Sequence, residues 1–309
     1  MRIAILGATS QIARDLAHLF DSSTTLYLFC RSKPVVSEWV EQQNLSCATY
    51  VFEYSEFLNK DYDVVINFVG SGNPAKTAAL GADIFEITHK FDSLAIQYLE
   101  SNPACKYIFF SSGAAFGAVF DKPLDKETIA RVDLNHLNHQ DWYSVAKLYA
   151  ECRHRARPDL SIVDLRVYSY FSRTQDINAR FLLSDVAKAI IKKQSLSISD
   201  DPMDRDYIHP SDLFQLIHLI LVAPRLNCAI DCYSKAPISK MSLMNALIEN
   251  YGLKIEINSR AGIVNATGLK EKYYSVDKKA LTLGYNPQYD SLGGILAEMD
   301  LLLSEHKDA

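Results

Sequence analysis

The stretch AILGATSQIARDLA, residues 4–17, decides how the rest of the chain is read. With the two residues before it, it opens on the apolar run RIAIL (2–6), which predicts a buried strand. Gly7 follows at once. Apolar residues then recur at Ile12, Ala13, Leu16, Leu19 and Phe20, the spacing of a helix over 11–20. A strand that turns through glycine into a helix offers main-chain amides where a dinucleotide pyrophosphate can sit. Ser10 and Ala13 occupy the second and third positions of the usual glycine spacing. Alanine still lets helix and strand pack closely, and the Ser10 hydroxyl can bond a phosphate oxygen. An ordinary strand–helix turn is the plainer account of the same letters. On the dinucleotide reading, Gly7, Thr9, Ser10, Gln11 and Ile12 are the candidate contacts.

The second strand, TLYLFC (25–30), sharpens that reading because it leads into Arg31, Ser32 and Lys33. In NAD-binding sheets a carboxylate at this place takes the adenosine ribose hydroxyls, whereas an arginine accommodates the 2′-phosphate of NADP. No carboxylate is present, and the forked guanidinium of Arg31 suits a phosphate, with Ser32 beside it. A solvated basic turn would look similar. The expected cofactor is therefore NADP(H), with NAD(H) as the alternative.

The alternation continues along the chain. CATYVFE (47–53), DVVINFVG (63–70), KYIFFSS (106–112) and SIVDLRV (161–167) read as strands. IFEITHKFDSLAIQYL (84–99) and the segment from Tyr143 to Arg155 read as helices. Strands apolar on both faces and separated by helices imply an α/β fold, a doubly wound Rossmann parallel sheet covered on both sides. After residue 168 the pattern loosens. Helices are expected over 180–193, 211–223 and 239–252, the last with Ser239 as N-cap and Gly252 just past its end. LSIS (196–199) is a short strand, and CAIDCY (228–233) is expected to rejoin the sheet as its seventh. The expected division is a dinucleotide-binding domain over 1–168 plus about 206–235. Residues 169–205 and 236–309 would form a smaller C-terminal α/β substrate-binding cap.

Bulk composition narrows the function. A net charge of −5 provides no basic excess to draw the chain to nucleic acid or an anionic membrane. The six cysteines form no CxxC pair and lie beside no histidine cluster at zinc spacing. They read as small buried hydrophobes in a reducing cytosol, so no metal site is expected. The N-terminal run is too short for a signal peptide or a membrane span, and a cytoplasmic location is expected.

Two Tyr-x-x-x-Lys spacings occur, Tyr143 with Lys147 in WYSVAK and Tyr274 with Lys278 in YYSVDK. Among 17 tyrosines and 19 lysines, about one such spacing arises by chance, so context must choose. Seven stretches occur in order: GATSQIA, VVINFVG, YIFFSSGAAFG, YSVAK, DLRVYSYF, RDYIHPSDL and DKKALTLGYNP. Over essentially the whole chain this set resembles the extended short-chain dehydrogenases/reductases, also called the NAD-dependent epimerase/dehydratase family of nucleotide-sugar enzymes. In that family the fifth strand ends in Ser-Ser before a Tyr-Gly. Here Ser111 and Ser112 precede Phe116 and Gly117, so Ser112 falls on the catalytic serine. The family Tyr-x-x-x-Lys follows that strand closely, which selects Tyr143 and Lys147. Tyr274 and Lys278 fall in a segment resembling the family's C-terminal substrate-binding stretch.

The resemblance implies that Tyr143 exchanges a proton with the reacting oxygen, Ser112 bonds that oxygen, and Lys147 holds the nicotinamide ribose. A phenol is a poor acid–base catalyst at neutral pH, and a nearby ammonium is expected to lower its pKa. A strand-end serine that merely caps a turn is the bland account of Ser112. The resemblance also places Arg205 on the nucleotide diphosphate and Arg180 on the substrate. Ser169 stands where an asparagine often sits, and a homodimer through the 84–99 and Tyr143 helices is expected.

Departures from the family pattern narrow the reaction. Dehydratases of the family carry Asp-Glu after the catalytic residue, where this chain has Gly113 and Ala114. Enzymes that combine double epimerisation with reduction place a cysteine nearby, and Gly113, Ala114 and Ala115 supply none. Chemistry at one carbon remains. The expected function is NADPH-dependent reduction of a keto group on a nucleotide-activated deoxysugar, as in surface-polysaccharide precursor synthesis. The alternative is an NAD-dependent epimerase working through a transient ketone. A non-catalytic NADP-sensing regulator ranks below both, since such relatives usually lack the Tyr and Lys.

Overall fold

Apolar runs that alternate with amphipathic helices pair here into one seven-stranded sheet, every pairing of which is parallel. The computed structural model describes residues 1–70, 77, 79–117, 119–258 and 270–306. The first half runs β1 (Arg2–Leu6), α1 (Gln11–Ala17), β2 (Thr25–Cys30), α2 (Lys33–Gln42), β3 (Ala48–Glu53), β4 (Val64–Asn67), α3 (Asp83–Ser101), β5 (Lys106–Ser112), α4 (Trp142–Arg155) and β6 (Ser161–Val167). The second half runs β7 (Ser169–Tyr170), α5 (Leu182–Lys192), β8 (Ser195–Ile198), β9 (Asp204–Arg205), β10 (Tyr207–Ile208), α6 (Pro210–Val222), β11 (Asn227–Asp231), β12 (Ile238–Ser239), α7 (Lys240–Tyr251), β13 (Lys254–Ile257), β14 (Lys272–Tyr273) and α8 (Ser291–Glu305).

The sheet order is β11-β6-β5-β4-β1-β2-β3, so the expected doubly wound sheet forms and the seventh strand rejoins it. Period-two alternation splits each strand between two cores. Ile3 and Ile5 face Leu16, Val36, Leu213 and Leu216, while Ala4 and Leu6 face Ala95, Leu99 and Ala150. A third core joins Phe171, Val186, Leu243, Met244 and Met299 from the second half. Of the residues expected to form the cap, 259–269 and 307–309 lie outside the described residues.

Several boundaries differ from the sequence reading. β4 stops at Asn67 rather than 70: Phe68 N–H still donates to Leu6 O, and the chain then turns away at Gly70. α2 follows Ser32 as N-cap with Pro34 in its first turn, a start signal hidden under the phosphate reading of Arg31 and Ser32. α8 was hidden by its Gly293-Gly294 pair. Asp290 caps it, accepting from Gly293 N–H at 2.7 Å, and a Cβ at Gly294 would sit 3.4 Å from the His209 side chain. α7 has the expected ends, with Ser239 accepting from Ser242 N–H and Gly252 left-handed. Cys30, Cys47, Cys105 and Cys232 are buried, but Cys152 is exposed on α4. Among the described residues no helix is long and apolar enough to cross a membrane.

Candidate active site

Strand order reverses between β1 and β4, and in open parallel sheets ligands bind at the carboxyl ends of the strands beside such a reversal. There Gly7 adopts φ +86, and a Cβ on it would lie 3.0 Å from Val69 N and 3.1 Å from the Phe68 carbonyl carbon. Only glycine permits this approach of the first turn to the end of β4. The turn opens into a cavity of about 1740 Å³.

Most of the residues singled out from the sequence meet on its walls. Gly7, Thr9, Ser10, Gln11, Ile12 and Arg31 line it, as do Ser112, Tyr143 and Lys147, and so do Ser169, Arg180 and Arg205. Ser32 does not; it is the exposed N-cap of α2. Tyr274 and Lys278 are not on the wall either, and the Lys278 ammonium sits 3.5 Å over the Tyr233 ring. Geometry thus separates the two Tyr-x-x-x-Lys pairs.

β5 and α4 bring the two candidate hydroxyls to one wall. Ser112 ends β5, and its Oγ accepts Ala114 N–H at 3.2 Å and lies 2.7 Å from the Tyr273 hydroxyl. Tyr143, in the first turn of α4, lies on the same wall near enough for Ser112 to influence its phenol. Burial pushes the Tyr143 phenol well above its ordinary value, Tyr273 adds to the rise, and Ser112 opposes it. The lowering expected from the Lys147 ammonium is not seen: burial dominates and the phenol's pKa rises, with Ser112 opposing only in part. Lys147 is buried one turn along, donating to Phe110 O at 2.7 Å and lying 4.4 Å over the Phe109 ring. Burial lowers its pKa to about 8, against the opposing charges of Asp92, Glu151 and Asp164.

The position after Ser112 is closed to any side chain. A Cβ on Gly113 would fall 2.2 Å from the Tyr168 ring, and that ring is anchored by its hydroxyl donating to Asp231 at 3.0 Å. Gly113→Ala is expected to lose about 1–3 kcal/mol of stability by overpacking. Urea unfolding measures it, and an unchanged midpoint would show that Tyr168 yields freely.

Residues the sequence reading passed over also line the cavity. The Arg14 guanidinium stacks 5.0 Å over Trp39, and its buried Nε has no hydrogen-bond partner among the described residues. Its place directly after Ala13, facing the end of β2, was the available signal. Lys270 is buried against the rings of Tyr273 at 4.5 Å and Phe120 at 5.0 Å, and burial with Arg205 lowers its pKa to about 7. Arg205 donates to the carbonyls of Asp204 and Glu271 and lies 5.5 Å from the Tyr273 ring. No cluster of His, Cys, Asp and Glu among the described residues suits a metal ion.

Solved structures share this architecture. A dTDP-glucose 4,6-dehydratase from Bacillus anthracis, in complex with NAD, is similar at a TM-score of 0.80 and 14% identity, over 99% of this chain and 98% of that one. A UDP-glucose 4-epimerase from Bifidobacterium longum, in complex with NAD⁺ and UDP, is similar at 0.79 and 18%, over 100% and 99%. A UDP-glucose 4-epimerase from Thermotoga maritima, with UDP-glucose, is similar at 0.78 and 18%, over 99% of each chain. Identities this low carry the fold alone. No curated protein matches the chain at a level that carries an argument. The profile of the NAD dependent epimerase/dehydratase family matches residues 3–229, which include the Gly7 turn, Ser112, Tyr143, Lys147 and Arg205, and by that match the chain belongs to this family.

Proposed function

We propose that the chain is a nicotinamide-dependent oxidoreductase that reduces a keto group at one carbon of a nucleotide-activated deoxysugar, using NADPH. The observation that carries this reading is the gathering of Ser112 and Tyr143 on the wall of one cavity, with Lys147 buried beside them. A volume of about 1740 Å³ exceeds what one drug-sized ligand needs and has room for a dinucleotide and a sugar nucleotide together.

The cofactor fits the residues present. The glycine cradle at Gly7 would hold its pyrophosphate, and Arg31 with the unpartnered Nε of Arg14 would meet a 2′-phosphate. When bound, NADPH supplies a hydride to the carbonyl carbon. Tyr143 gives its phenolic proton to the carbonyl oxygen, and Ser112 hydrogen-bonds that oxygen. Lys147, buried one turn along α4, would hold the nicotinamide ribose. Burial keeps Tyr143 protonated at neutral pH, the form a ketone reduction uses, whereas oxidation of an alcohol must begin from the phenolate. Arg205, Arg180 and Ser169, with residues 169–205 and 236–309 as a cap, make up the substrate end of this reading. Sugar 4,6-dehydration does not fit, because Tyr168 occupies the space an acid at position 113 would need.

A second reading is favoured by the solved relatives: two of those named are UDP-glucose 4-epimerases, and one of these was solved with NAD⁺. It makes the chain an epimerase that keeps NAD and works through a transient ketone. One experiment separates the two. The purified protein is treated with acid, the released nucleotide is identified, and the protein is then given NADPH and a nucleotide-linked 4-keto-deoxysugar. Stoichiometric oxidation of NADPH supports the reductase. Retained NAD⁺, with interconversion of two epimers and no net oxidation, overturns it.

Arg31 sets cofactor choice in this reading. Arg31→Ala is expected to raise KM for NADPH more than about tenfold, or ~1.4 kcal/mol of lost phosphate contact, while use of NADH changes little. Equal use of both cofactors by the unaltered protein would remove the basis of the NADP assignment.

A further inference from the structure

Tyr273 reaches the reacting hydroxyls from a distant part of the chain, and nothing in the mechanism above uses it. Its hydroxyl lies 2.7 Å from Ser112 Oγ. A serine hydroxyl has two lone pairs and one hydrogen. Ala114 N–H occupies one lone pair of Ser112 at 3.2 Å. Either hydroxyl can donate in the contact between Tyr273 and Ser112, and the cations of Lys270 and Arg205 beside the ring favour Tyr273 as the donor. A donor in the second lone pair leaves the Ser112 hydrogen one direction, towards Tyr143 and the cavity.

The surroundings of Tyr273 suit a fixed donor. Its backbone is held where β14 pairs with β9. Its ring packs edge-on against Phe120 at 5.0 Å and Tyr168 at 5.3 Å. Lys270 at 4.5 Å and Arg205 at 5.5 Å flank the ring, and neighbouring positive charge strengthens a phenol as a donor. The residue is buried, so its hydroxyl needs a protein partner, and Ser112 is within reach.

We propose that Tyr273 is a positioning residue that donates its phenolic hydrogen to Ser112 and so aims the Ser112 hydroxyl at Tyr143 and at the oxygen of a bound carbonyl. The inference rests on the reading of Ser112 and Tyr143 as the acid site. It predicts that the row Tyr273, Ser112, Tyr143 acts as one unit.

Tyr273→Phe keeps the ring and removes only the donor, and a melting curve verifies that the variant is folded. Loss of one directed hydrogen bond is expected to lower kcat about tenfold, with KM changed less than about twofold. In a Ser112→Ala background the same change should cost nothing further, because the residue through which it acts is gone. A second readout needs no substrate. The phenolate absorbance that separates the unaltered protein from Tyr143→Phe reports the titration of Tyr143. Measured against the same change in the Ser112→Ala background, where only the direct influence of Tyr273 on Tyr143 remains, its midpoint should rise in Tyr273→Phe, since Ser112 is no longer directed at the phenolate. Independent, multiplying losses in the double variant, or an unshifted midpoint, would overturn the proposal. If the unaltered protein reduces no ketosugar, the proposed function fails while the titration still decides the role of Tyr273.

Discussion

Tyr143→Phe is expected to fold, to bind cofactor and to lose turnover by about a hundred- to ten-thousand-fold, the usual contribution of a positioned acid. The change removes one oxygen from a side chain whose ring stays where it is. The ring lies 5.7 Å from the Lys147 ammonium, and Lys147 keeps its bond to Phe110 O, so the role proposed for it at a cofactor ribose is not disturbed. Only the transferable proton is lost. Tyr274→Phe is the control. Tyr274 shares the spacing but lies off the cavity wall, and its carbonyl serves as an acceptor for Leu124 N–H. That variant is expected to keep turnover within about twofold. Steady-state kinetics on both decide the matter. Comparable losses would mean that the cavity bearing Tyr143 is not where the reaction occurs.

That contrast also shows why some of the site was legible in the sequence. β1, β4 and β5 are buried on both faces, so their apolar runs have no alternation to confuse and stand out as strands. Gly7 was readable because its neighbours demand a residue without a side chain. Ser112, Tyr143 and Lys147 were readable because a strand end and the next helix keep them in a recognisable order. Tyr273 was not, since it lies 161 residues from the serine it touches and its pattern says only that it is aromatic. Arg14 looked like an ordinary charge on an amphipathic helix until the fold set Trp39 beneath it and left its Nε unpartnered. Gly113 looked like a missing acid. The Tyr168 ring shows that the acid is also sterically forbidden, which no spacing along the chain reports.

The largest stability effect is expected at His154, which the sequence reading did not single out. The imidazole is wholly buried on α4. Its Nδ1 lies 2.5 Å from Asp164 Oδ1 and its Nε2 lies 2.6 Å from Asp92 Oδ1. Both carboxylates are wholly buried too. Arg153 bonds the other oxygen of Asp92, and Arg155 bonds that of Asp164 at 2.7 Å. Burial opposes an imidazolium here, but Asp164 and Asp92 outweigh it and raise the pKa to about 9. His154→Leu fills much of the volume but leaves two carboxylate oxygens facing each other with no cation between them. Removing one partner from a buried charge cluster costs about 3–5 kcal/mol. The damage should reach the cleft, because the Tyr107 hydroxyl donates to Asp92, Asn67 donates to that hydroxyl, and Asn67 accepts Val69 N–H beside the Gly7 turn.

The dependence on pH tests the charge itself. A histidine near 6.5 when unfolded and near 9 when folded stabilises the native state fully below about pH 6.5, and loses that contribution as pH rises through about 9. The contribution is on the order of a few kcal/mol. Lys147 and Lys270, whose lowered pKa values add stability as pH rises, are common to both proteins, so the stability difference between the unaltered protein and His154→Leu in urea unfolding should shrink between about pH 6.5 and pH 9.5. His154→Leu should start lower and lack the loss that His154 alone contributes, since that group is absent. Parallel slopes in the two proteins would mean that His154 is neutral in the fold and that Arg153 and Arg155 alone balance the two carboxylates.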